Sequence, residues 1–265
     1  MIDLHNDFLT ALNDPCSYLE NINYNVKICS AVFTSELKNP LKFLKKSKKI
    51  LKNYDFCKLC IEDMSFFNFG LLDELIKIKP FYVSLTWNND NQFAGGAYGS
   101  GEMTNEGKKL VHILEQNNIL IDCAHLNYKS FEQLVEVAQK PFICSHTGFC
   151  DVVSDKRNLA YSQIKDIISC DGIVGLFFVG KYITKKLVKI FDIVKNIDYF
   201  VQNFGYEHLA IGSDFYGTKD LPIGINNYQD MEKVRQQMFL LGYDNKAVEA
   251  IFEKNAQKFW LKNFS

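Results

Sequence analysis

The sequence predicts an α/β fold, and in particular a closed (β/α)₈ barrel of parallel strands. Eight short runs rich in β-branched and aromatic residues recur along the chain, and amphipathic stretches with helical spacing lie between them. Several runs are almost wholly apolar, as in residues 172–178, which is typical of parallel strands that are buried on both faces. Eight alternating units favour this TIM-type barrel over an open doubly wound sheet. Because 265 residues is an ordinary length for such a barrel, we expect residues 1–265 to form a single domain.

The predicted elements follow one another in a regular order. The strands are residues 1–5, 27–34, 55–62, 81–87, 119–124, 141–145, 172–178 and 208–213. The helices are residues 40–53, 104–117, 129–139, 159–169, 186–204, 228–241 and 245–261. Thr104 is suited to cap the start of its helix, with Glu106 in the first turn. The longest stretch without periodicity, residues 88–103, is too long for a simple connection, so we expect it to border a ligand site.

Composition and charge argue against some classes of partner. The chain has 30 basic and 31 acidic residues and a formal charge of -1, which gives no reason to expect binding to nucleic acid or to an anionic membrane. No apolar run approaches the roughly 20 residues that a membrane helix needs. The lysines of residues 42–52 are interspersed with apolar residues at helical spacing, which indicates the solvated face of a helix rather than a basic docking patch. We therefore expect a small-molecule partner, no nucleic acid and no membrane.

The start of the chain and the cysteines bear on localisation. A secretory signal needs a charged segment, an apolar run and a cleavage site, and His5 and Asp7 leave no room for one. The eight cysteines are scattered through mostly apolar segments, as expected of reduced, buried thiols. Cys57 and Cys60 have the spacing of a redox or zinc motif, but they lie inside a predicted strand and no second such pair completes a zinc site. We expect a cytoplasmic protein.

Three of the five histidines stand at the carboxyl ends of predicted strands, where (β/α)₈ barrels place their active sites. These three are His5, His125 and His146. The other two, His112 within a helix and His208 at the start of a strand, are expected to be structural.

Carboxylates occupy the same kind of position. Glu62 and Asp214 stand at the ends of two further strands, and Asp7 shares one face of an extended strand with His5. Three imidazoles and three carboxylates would thus meet at one mouth of the barrel. These six side chains exceed the number of protein ligands of one catalytic zinc ion, which is about three. A carboxylate such as Glu62 can bridge two cations roughly 3.5–4 Å apart. The sequence therefore predicts a site for two divalent metal ions.

The same residues lie within a series of motifs that resembles the membrane dipeptidase family, the renal dipeptidase-like metallopeptidases of the amidohydrolase superfamily. The series spans nearly the whole chain: Asp3-Leu4-His5-Asn6-Asp7, Ile61-Glu62, Ser84-Leu85-Thr86-Trp87-Asn88, Gly107, Ile121-Asp122-Cys123-Ala124-His125, Ser145-His146, Arg157-Asn158-Leu159 and Gly212-Ser213-Asp214-Phe215. Other amidohydrolases, including the TatD-type nucleases, usually open with His-x-His and lack the Leu-Thr-x-Asn and Arg-Asn segments. They are the alternative within the same fold.

The resemblance implies a role for each metal-ligating residue. His5 and Asp7 would bind the first of two divalent ions, His125 and His146 would bind the second, and Glu62 would bridge them. Zinc is the metal expected from this mixture of nitrogen and oxygen ligands, although manganese, iron and cobalt accept the same ligands.

The resemblance also implies how the reaction proceeds. Asp214 would be the catalytic residue outside the metal shell, orienting a metal-bridging water or hydroxide and passing its proton to the leaving nitrogen. Arg157 and Trp87 would bind the substrate, and a guanidinium such as that of Arg157 can pair with a carboxylate or a developing oxyanion. The implied substrates are small dipeptides, including those with a C-terminal D-residue, and a homodimer is left open.

Three positions depart from the family pattern. Trp87 stands where well-known dipeptidases carry a histidine that contacts the substrate carbonyl, Tyr216 replaces a second aspartate, and Tyr161 replaces the aspartate after Arg-Asn. None removes a proposed metal ligand, and we interpret Trp87 as altered recognition. Two alternatives stay open, because specificity resides in loops: a metal-dependent hydrolase of another small amide, lactone or ester, and a non-catalytic binding protein on the same barrel.

Overall fold

Eight parallel strands close into a barrel in the computed structural model, which describes residues 1–22 and 26–264. The strands are β1 Ile2–Asn6, β2 Lys27–Phe33, β3 Cys57–Glu62, β4 Tyr82–Ser84, β5 Leu120–Asp122, β6 Ile143–Thr147, β7 Ile173–Leu176 and β8 Leu209–Ile211. They pair in chain order, and β8 returns to β1 through Ile211 and Asp3. Every predicted strand is present, with ends shifted by a few residues at most, so the predicted fold class is confirmed.

Helices surround this barrel. In the described ranges they are α1 Phe8–Ala11, α2 Pro15–Asn21, α3 Pro40–Leu51, α4 Leu72–Ile78, α5 Asn105–Gln116, α6 Tyr128–Val137, α7 Tyr161–Ser169, α8 Gly180–Ile183, α9 Ile190–Phe204, α10 Met231–Leu240, α11 Asn245–Glu249 and α12 Asn255–Phe264. Short 3₁₀ turns span Phe69–Leu71 and Tyr228–Asp230, and a π-helical segment, Ala250–Lys254, joins α11 to α12.

The longer helices agree with the sequence prediction, and four short ones were not predicted. The hydroxyl oxygen of Thr104 accepts the backbone N–H of Gly107, as expected of the residue that caps α5. Helix α4 was not predicted, and neither were α1, α2 and α8. These helices have seven residues or fewer, which is two turns at most, and so few turns give the apolar positions too little repetition to reveal a helical period.

Apolar side chains form two layers, and polar residues occupy the end of the barrel at which the strands have their carboxyl ends. The larger layer lies between the strands and the surrounding helices. The smaller layer includes Leu4, Cys60 and Tyr82 and is covered by Phe259 of α12, so it fills the barrel interior below the carboxyl ends of the strands. Cys57 belongs to the larger layer and Cys60 to the smaller, because residues three apart on a strand face opposite sides. Both are buried free thiols within β3, in agreement with the structural interpretation of this pair.

The loop of residues 88–103 is organised around one carboxylate. Asp90 accepts the backbone N–H groups of Gly96, Ser100 and Gly101 at 3.0, 3.1 and 2.9 Å. A Cβ at Gly99 would lie only 1.6 Å from Asp90 Oδ1, so this turn requires glycine for space. The loop is therefore a defined wall beside the carboxyl ends of β4 and β5.

The surface carries the predicted charge pattern. Lys42, Lys45, Lys46 and Lys49 of α3 are exposed while Leu44 is buried, so the lysines form a solvated helix face. Within residues 1–22 and 26–264, no helix combines the length and the apolar character needed to cross a bilayer.

Candidate metal centre

The six predicted imidazoles and carboxylates converge at the carboxyl end of the barrel. The strands and the turns directly after them deliver these side chains: His5 lies on β1, Asp7 just after it, Glu62 at the end of β3, His125 after β5, His146 on β6 and Asp214 after β8. All but Asp214 are buried, and the side chain of Asp214 is only 16% exposed.

Glu62 lies at the centre of this cluster. Its Oε1 atom is 3.0 Å from His125 Nε2, 3.6 Å from His146 Nε2 and 3.8 Å from His5 Nε2. Asp7 Oδ2 lies 3.2 Å from His5 Nε2. One oxygen of Glu62 therefore lies close to imidazoles that come from both sides of the barrel.

Two sets of residues have ligand atoms close enough to hold one cation each, and they share Glu62. We call His5, Asp7 and Glu62 the first half-site, and Glu62, His125 and His146 the second half-site; the ligand atoms within each lie within 4.8 Å of one another. A third set, His5, His146 and Asp214, meets the same distance limit.

Orphaned polar atoms show that the cluster fits cations. Within the part of the chain that the structure describes, His5 Nε2, Glu62 Oε1 and Asp7 Oδ1 are buried and have no hydrogen-bond partner. Burying such atoms unsatisfied is unfavourable, whereas a divalent cation would satisfy all three at once. Imidazole nitrogen and carboxylate oxygen are ligands that zinc accepts.

Each imidazole is oriented through its other nitrogen. Nδ1 of His5 lies 2.8 Å from the Tyr82 hydroxyl, and Nδ1 of His125 lies 3.1 Å from Asn88 Oδ1. Nδ1 of His146 lies 2.8 Å from Ser145 Oγ. With Nδ1 engaged, Nε2 of each ring is left to face the centre, the arrangement typical of histidines that bind metals.

Sequence reasoning did not assign these three orienting partners. Asn88 and Ser145 lie within motifs quoted for the family resemblance, and Tyr82 lies inside a predicted strand. Of the three, only Ser145 stands next to a ligand, His146, and which side chain reaches which imidazole depends on the closed barrel.

The electrostatics of the cluster favour positive charge. Burial opposes protonation of His5, but the carboxylates of Asp7, Glu62 and Asp214 outweigh it and raise the pKa of His5 to about 10. Burial opposes ionisation of Glu62, but the adjacent imidazole of His125 and the positive charges of His5 and Arg157 lower its pKa to about 2. The proton that the carboxylates hold on His5 occupies the position in which a cation would lie.

The other two imidazoles are held neutral. Burial and the positive charge of Arg157 lower the pKa of His125 to about 4. Burial, together with the charge of His5, lowers the pKa of His146 well below its usual value. A neutral imidazole is the form that binds a metal ion.

Asp214 lies beside the first half-site. Its Oδ1 is 4.0 Å from His5 Nε2, and burial together with the charge of Asp7 raises the pKa of Asp214 well above its usual value. A Cβ at Gly217 would lie 2.3 Å from Asp214 Oδ1 and 2.4 Å from Asp7 Oδ2, so the two carboxylates reach their positions only because this residue is glycine.

The backbone at the site has an unusual conformation. Asp63, His125, Asp214 and Tyr216 have positive φ angles of 71°, 67°, 61° and 70°. This left-handed conformation is unfavourable for residues with a Cβ atom, and for a bulky residue such as tyrosine it is an outlier. It turns the chain sharply at the points where it leaves β3, β5 and β8.

A cavity of about 460 Å³ opens above the cluster, large enough for a small molecule. The predicted substrate-binding residues, Arg157 and Trp87, both line it. Arg157 is buried, its Nη2 donates to the carbonyl oxygen of His146 at 3.0 Å, and its guanidinium lies 5.6 Å from the ring centre of Phe177. Trp87 packs between Phe33 and His125. Its ring centre lies 4.8 Å from that of Phe33 and 5.9 Å from that of His125.

Other residues around this cavity were not predicted. Phe33, Phe177, Tyr182 and the exposed charges of Glu36 and Lys181 line it. Asn88, at the start of the loop of residues 88–103, also lines it, so this loop borders the site as expected. Residues 99–101 line a second cavity of about 340 Å³ that shares His125 and Arg157 with the first.

Comparisons with known proteins agree on a family. The sequence profile of the membrane dipeptidase family, Peptidase family M19, matches residues 57–263. The chain is 27% identical over 198 residues to an uncharacterized protein in the pqqA 5′ region of Klebsiella pneumoniae, covering 70% of this chain and 69% of that protein. It is 25% identical over 205 residues to an uncharacterized dipeptidase of Schizosaccharomyces pombe, covering 73% of this chain and 49% of that protein, about half of the yeast protein's length.

Among solved structures, the fold is similar to that of a metallopeptidase from Rhodobacter sphaeroides, whose structure holds a phosphinate mimic of the dipeptide L-Ala-D-Ala. The two folds agree with a TM-score of 0.82 at 16% sequence identity, over 99% of each chain.

Proposed function

Because the chain belongs to the membrane dipeptidase family of metallopeptidases, we propose that it hydrolyses the amide bond of small dipeptides at the buried cluster around Glu62. The observation that carries this proposal is the membership of Glu62 in both half-sites, with its Oε1 orphaned between the imidazoles of His5 and His125. A carboxylate shared by two sets of ligands favours a site for two cations over a site for a single cation.

The proposed ligands follow from this arrangement. His5 and Asp7 would hold one divalent ion, His125 and His146 would hold the other, and Glu62 would be shared between them. Zinc is the proposed metal because its usual ligands are neutral imidazole and carboxylate oxygen. Bound cations of this kind lower the pKa of a coordinated water and polarise the scissile carbonyl.

Asp214 is the proposed proton carrier. Its carboxylate faces the first half-site without being needed to complete either half-site, and burial beside Asp7 raises its pKa, which makes the ionised carboxylate a stronger base. A carboxylate with a raised pKa can take a proton from the attacking water and later give it to the leaving amine. Asp214 is the group that we assign to both transfers.

Arg157 and Trp87 are the proposed substrate contacts. A buried guanidinium at the cavity wall can pair with the carboxylate of a dipeptide or with an oxyanion that develops during the reaction. Trp87 and Phe33 supply an apolar surface for a side chain. The L-Ala-D-Ala mimic bound by the Rhodobacter protein supports a C-terminal D-residue as one of the accepted substrates.

Metal analysis combined with a substrate panel tests the proposal. The full chain, purified without added metal, is analysed for metal per chain and is then assayed against L,L and L,D dipeptides before and after chelation and re-addition of zinc. We expect two metal ions per chain and zinc-dependent hydrolysis. Fewer than two ions would remove the bridging role of Glu62, and loaded protein that cleaves lactones or esters but no dipeptide would overturn the substrate class. A chain that neither holds metal nor gains activity with zinc or cobalt would be a binding protein.

A further inference from the structure

A buried chain of hydrogen bonds leads from the second half-site into the barrel wall. Nδ1 of His146 lies 2.8 Å from Ser145 Oγ, which lies 2.6 Å from Asp122 Oδ2. The three residues come from β5 and β6 and are at most 2% exposed. Water therefore does not compete for these contacts.

The surroundings of Asp122 fix the direction of this chain. Oδ1 accepts the backbone N–H groups of Ala124 and Ser145 at 3.1 and 2.8 Å. Oδ2 accepts the hydroxyl groups of Ser84 and Ser145, both at 2.6 Å. Four donors converge on one carboxylate, so the single hydroxyl proton of Ser145 is given to Asp122.

The direction determines the tautomer of His146. Because the Ser145 hydroxyl has used its proton, its oxygen can only accept from the imidazole, and the proton of the neutral His146 ring must lie on Nδ1. Nε2 then carries the lone pair, and this atom faces His125 Nε2 at 3.0 Å and Glu62 Oε1 at 3.6 Å. Ser145 Oγ also lies 3.4 Å from Nδ1 of His5, so the same hydroxyl borders both half-sites.

We propose that Asp122 and Ser145 are positioning residues that hold His146 in the tautomer able to bind a cation, and thereby set the affinity of the second half-site. This inference rests on the proposed cation site, but the tautomer itself needs neither substrate nor cation to be observed. The two residues touch no substrate, and their effect reaches the reaction only through His146.

The matched test compares two serines that donate to the same carboxylate oxygen. Ser145→Ala removes the acceptor for His146 Nδ1–H, whereas Ser84→Ala removes an equivalent donor that has no contact with an imidazole. Zinc affinity is measured on the full chain by competition with a chelator, and folding is checked by circular dichroism. We expect Ser145→Ala to weaken one of the two zinc sites about 10- to 100-fold and Ser84→Ala to change it less than about threefold.

Asp122→Asn gives a more specific result. The two backbone N–H groups will hold the amide oxygen in the place of Oδ1, so the NH₂ group will face Ser145 and donate to it. The Ser145 proton is then free to turn to His146 Nδ1, which moves the imidazole proton to Nε2 and blocks the cation. We expect this variant to lose the second zinc ion more completely than Ser145→Ala, although its shape is almost unchanged.

Nitrogen NMR of the chelated protein reads the tautomer directly, with the His146 signals assigned by their loss in His146→Gln. We expect the Nδ1–H form in the native protein and in Ser84→Ala, and the Nε2–H form in Asp122→Asn. A native His146 in the Nε2–H form, or equal zinc affinity in Ser145→Ala and Ser84→Ala, would overturn the proposal. Failure to hydrolyse dipeptides would overturn the substrate proposal alone, since neither readout uses a substrate.

Discussion

The hydroxyl of Tyr82 lies 2.8 Å from Nδ1 of His5 and donates to the carbonyl oxygen of Leu4 at 3.1 Å. Since its one proton is used on Leu4, the hydroxyl accepts from His5. The two residues are 77 positions apart and are both buried, with Tyr82 at the start of β4. The first half-site is thus oriented by a tyrosine inside the barrel, as the second is by a serine.

Tyr82→Phe removes that acceptor and leaves the Nδ1–H of His5 without a partner. We expect the zinc affinity of one site to fall about 10- to 100-fold, and an unpaired buried donor to lower the free energy of unfolding by about 1–3 kcal/mol. Zinc competition and thermal unfolding measure the two effects. Tyr243→Phe is the control, because it removes a tyrosine hydroxyl that donates to Asp198 away from the site. Equal zinc affinity in both variants would show that Tyr82 does not act on the site.

Asp214→Asn should separate proton transfer from cation binding. The amide has the same shape but cannot take up a proton, so we expect kcat to fall about 10²- to 10⁴-fold while two zinc ions per chain are retained. Glu36→Gln neutralises an exposed carboxylate of the same cavity and should change kcat little. A near-normal rate would remove Asp214 from its proposed role, and loss of zinc would make it a ligand instead.

Gly217→Ala tests the close approach of two carboxylates. The added methyl group would lie within 2.4 Å of Asp7 Oδ2 and Asp214 Oδ1, so either the carboxylates or the loop that carries residue 217 must move. We expect weaker zinc binding, lower kcat or both, with the helices and strands intact by circular dichroism. Native zinc affinity together with native kcat would mean that the loop moves instead of the carboxylates.

Zinc affinity should rise with pH. Without a cation, His5 has a pKa of about 10 and holds a proton on Nε2 at neutral pH, which zinc must displace. The raised pKa values of Asp7 and Asp214 act in the same direction, whereas Glu62, with a pKa of about 2, contributes no proton. We expect zinc to release at least one proton and to bind about tenfold more tightly per pH unit for each proton released, between roughly pH 6.5 and 8.5. Calorimetry in two buffers of different protonation enthalpy counts the protons, and pH-independent affinity would contradict the prediction.

The cation-free protein should show the opposite trend in stability. His5 has a raised pKa in the folded chain, so its stabilising contribution is complete below the unfolded value of about 6.5 and is lost as the pH rises toward 10. Denaturant unfolding of chelated and zinc-loaded protein across this range measures the difference. A chelated protein that becomes more stable with rising pH would contradict this assignment.

The sequence predicts most of the barrel and the position of the cluster because both depend on local pattern. Each strand is a short apolar run, and His5, His125 and His146 stand where such runs end. Because the carboxyl ends of the strands of a closed barrel lie at one face, the sequence alone predicts that these imidazoles come together. Their assigned roles remain predictions.

The contacts that orient these ligands could not be predicted in the same way. Tyr82 is simply an aromatic residue in a strand until barrel closure sets its hydroxyl against His5. Asp122 and Ser145 likewise meet only because β5 and β6 are neighbours in the barrel. Helix α4 was missed for a different reason, since seven residues carry too little periodicity.

The left-handed backbone at His125 and Asp214 has a consequence for how this protein can change. Glycine would relieve roughly 1–2 kcal/mol at each of these positions, because only its Cβ-free backbone adopts that conformation at no steric cost. A library randomised at both positions and selected for heat tolerance alone should therefore drift to glycine and lose an imidazole and a carboxylate together. Mutagenesis that aims to raise the thermal stability of this protein must therefore leave His125 and Asp214 unchanged.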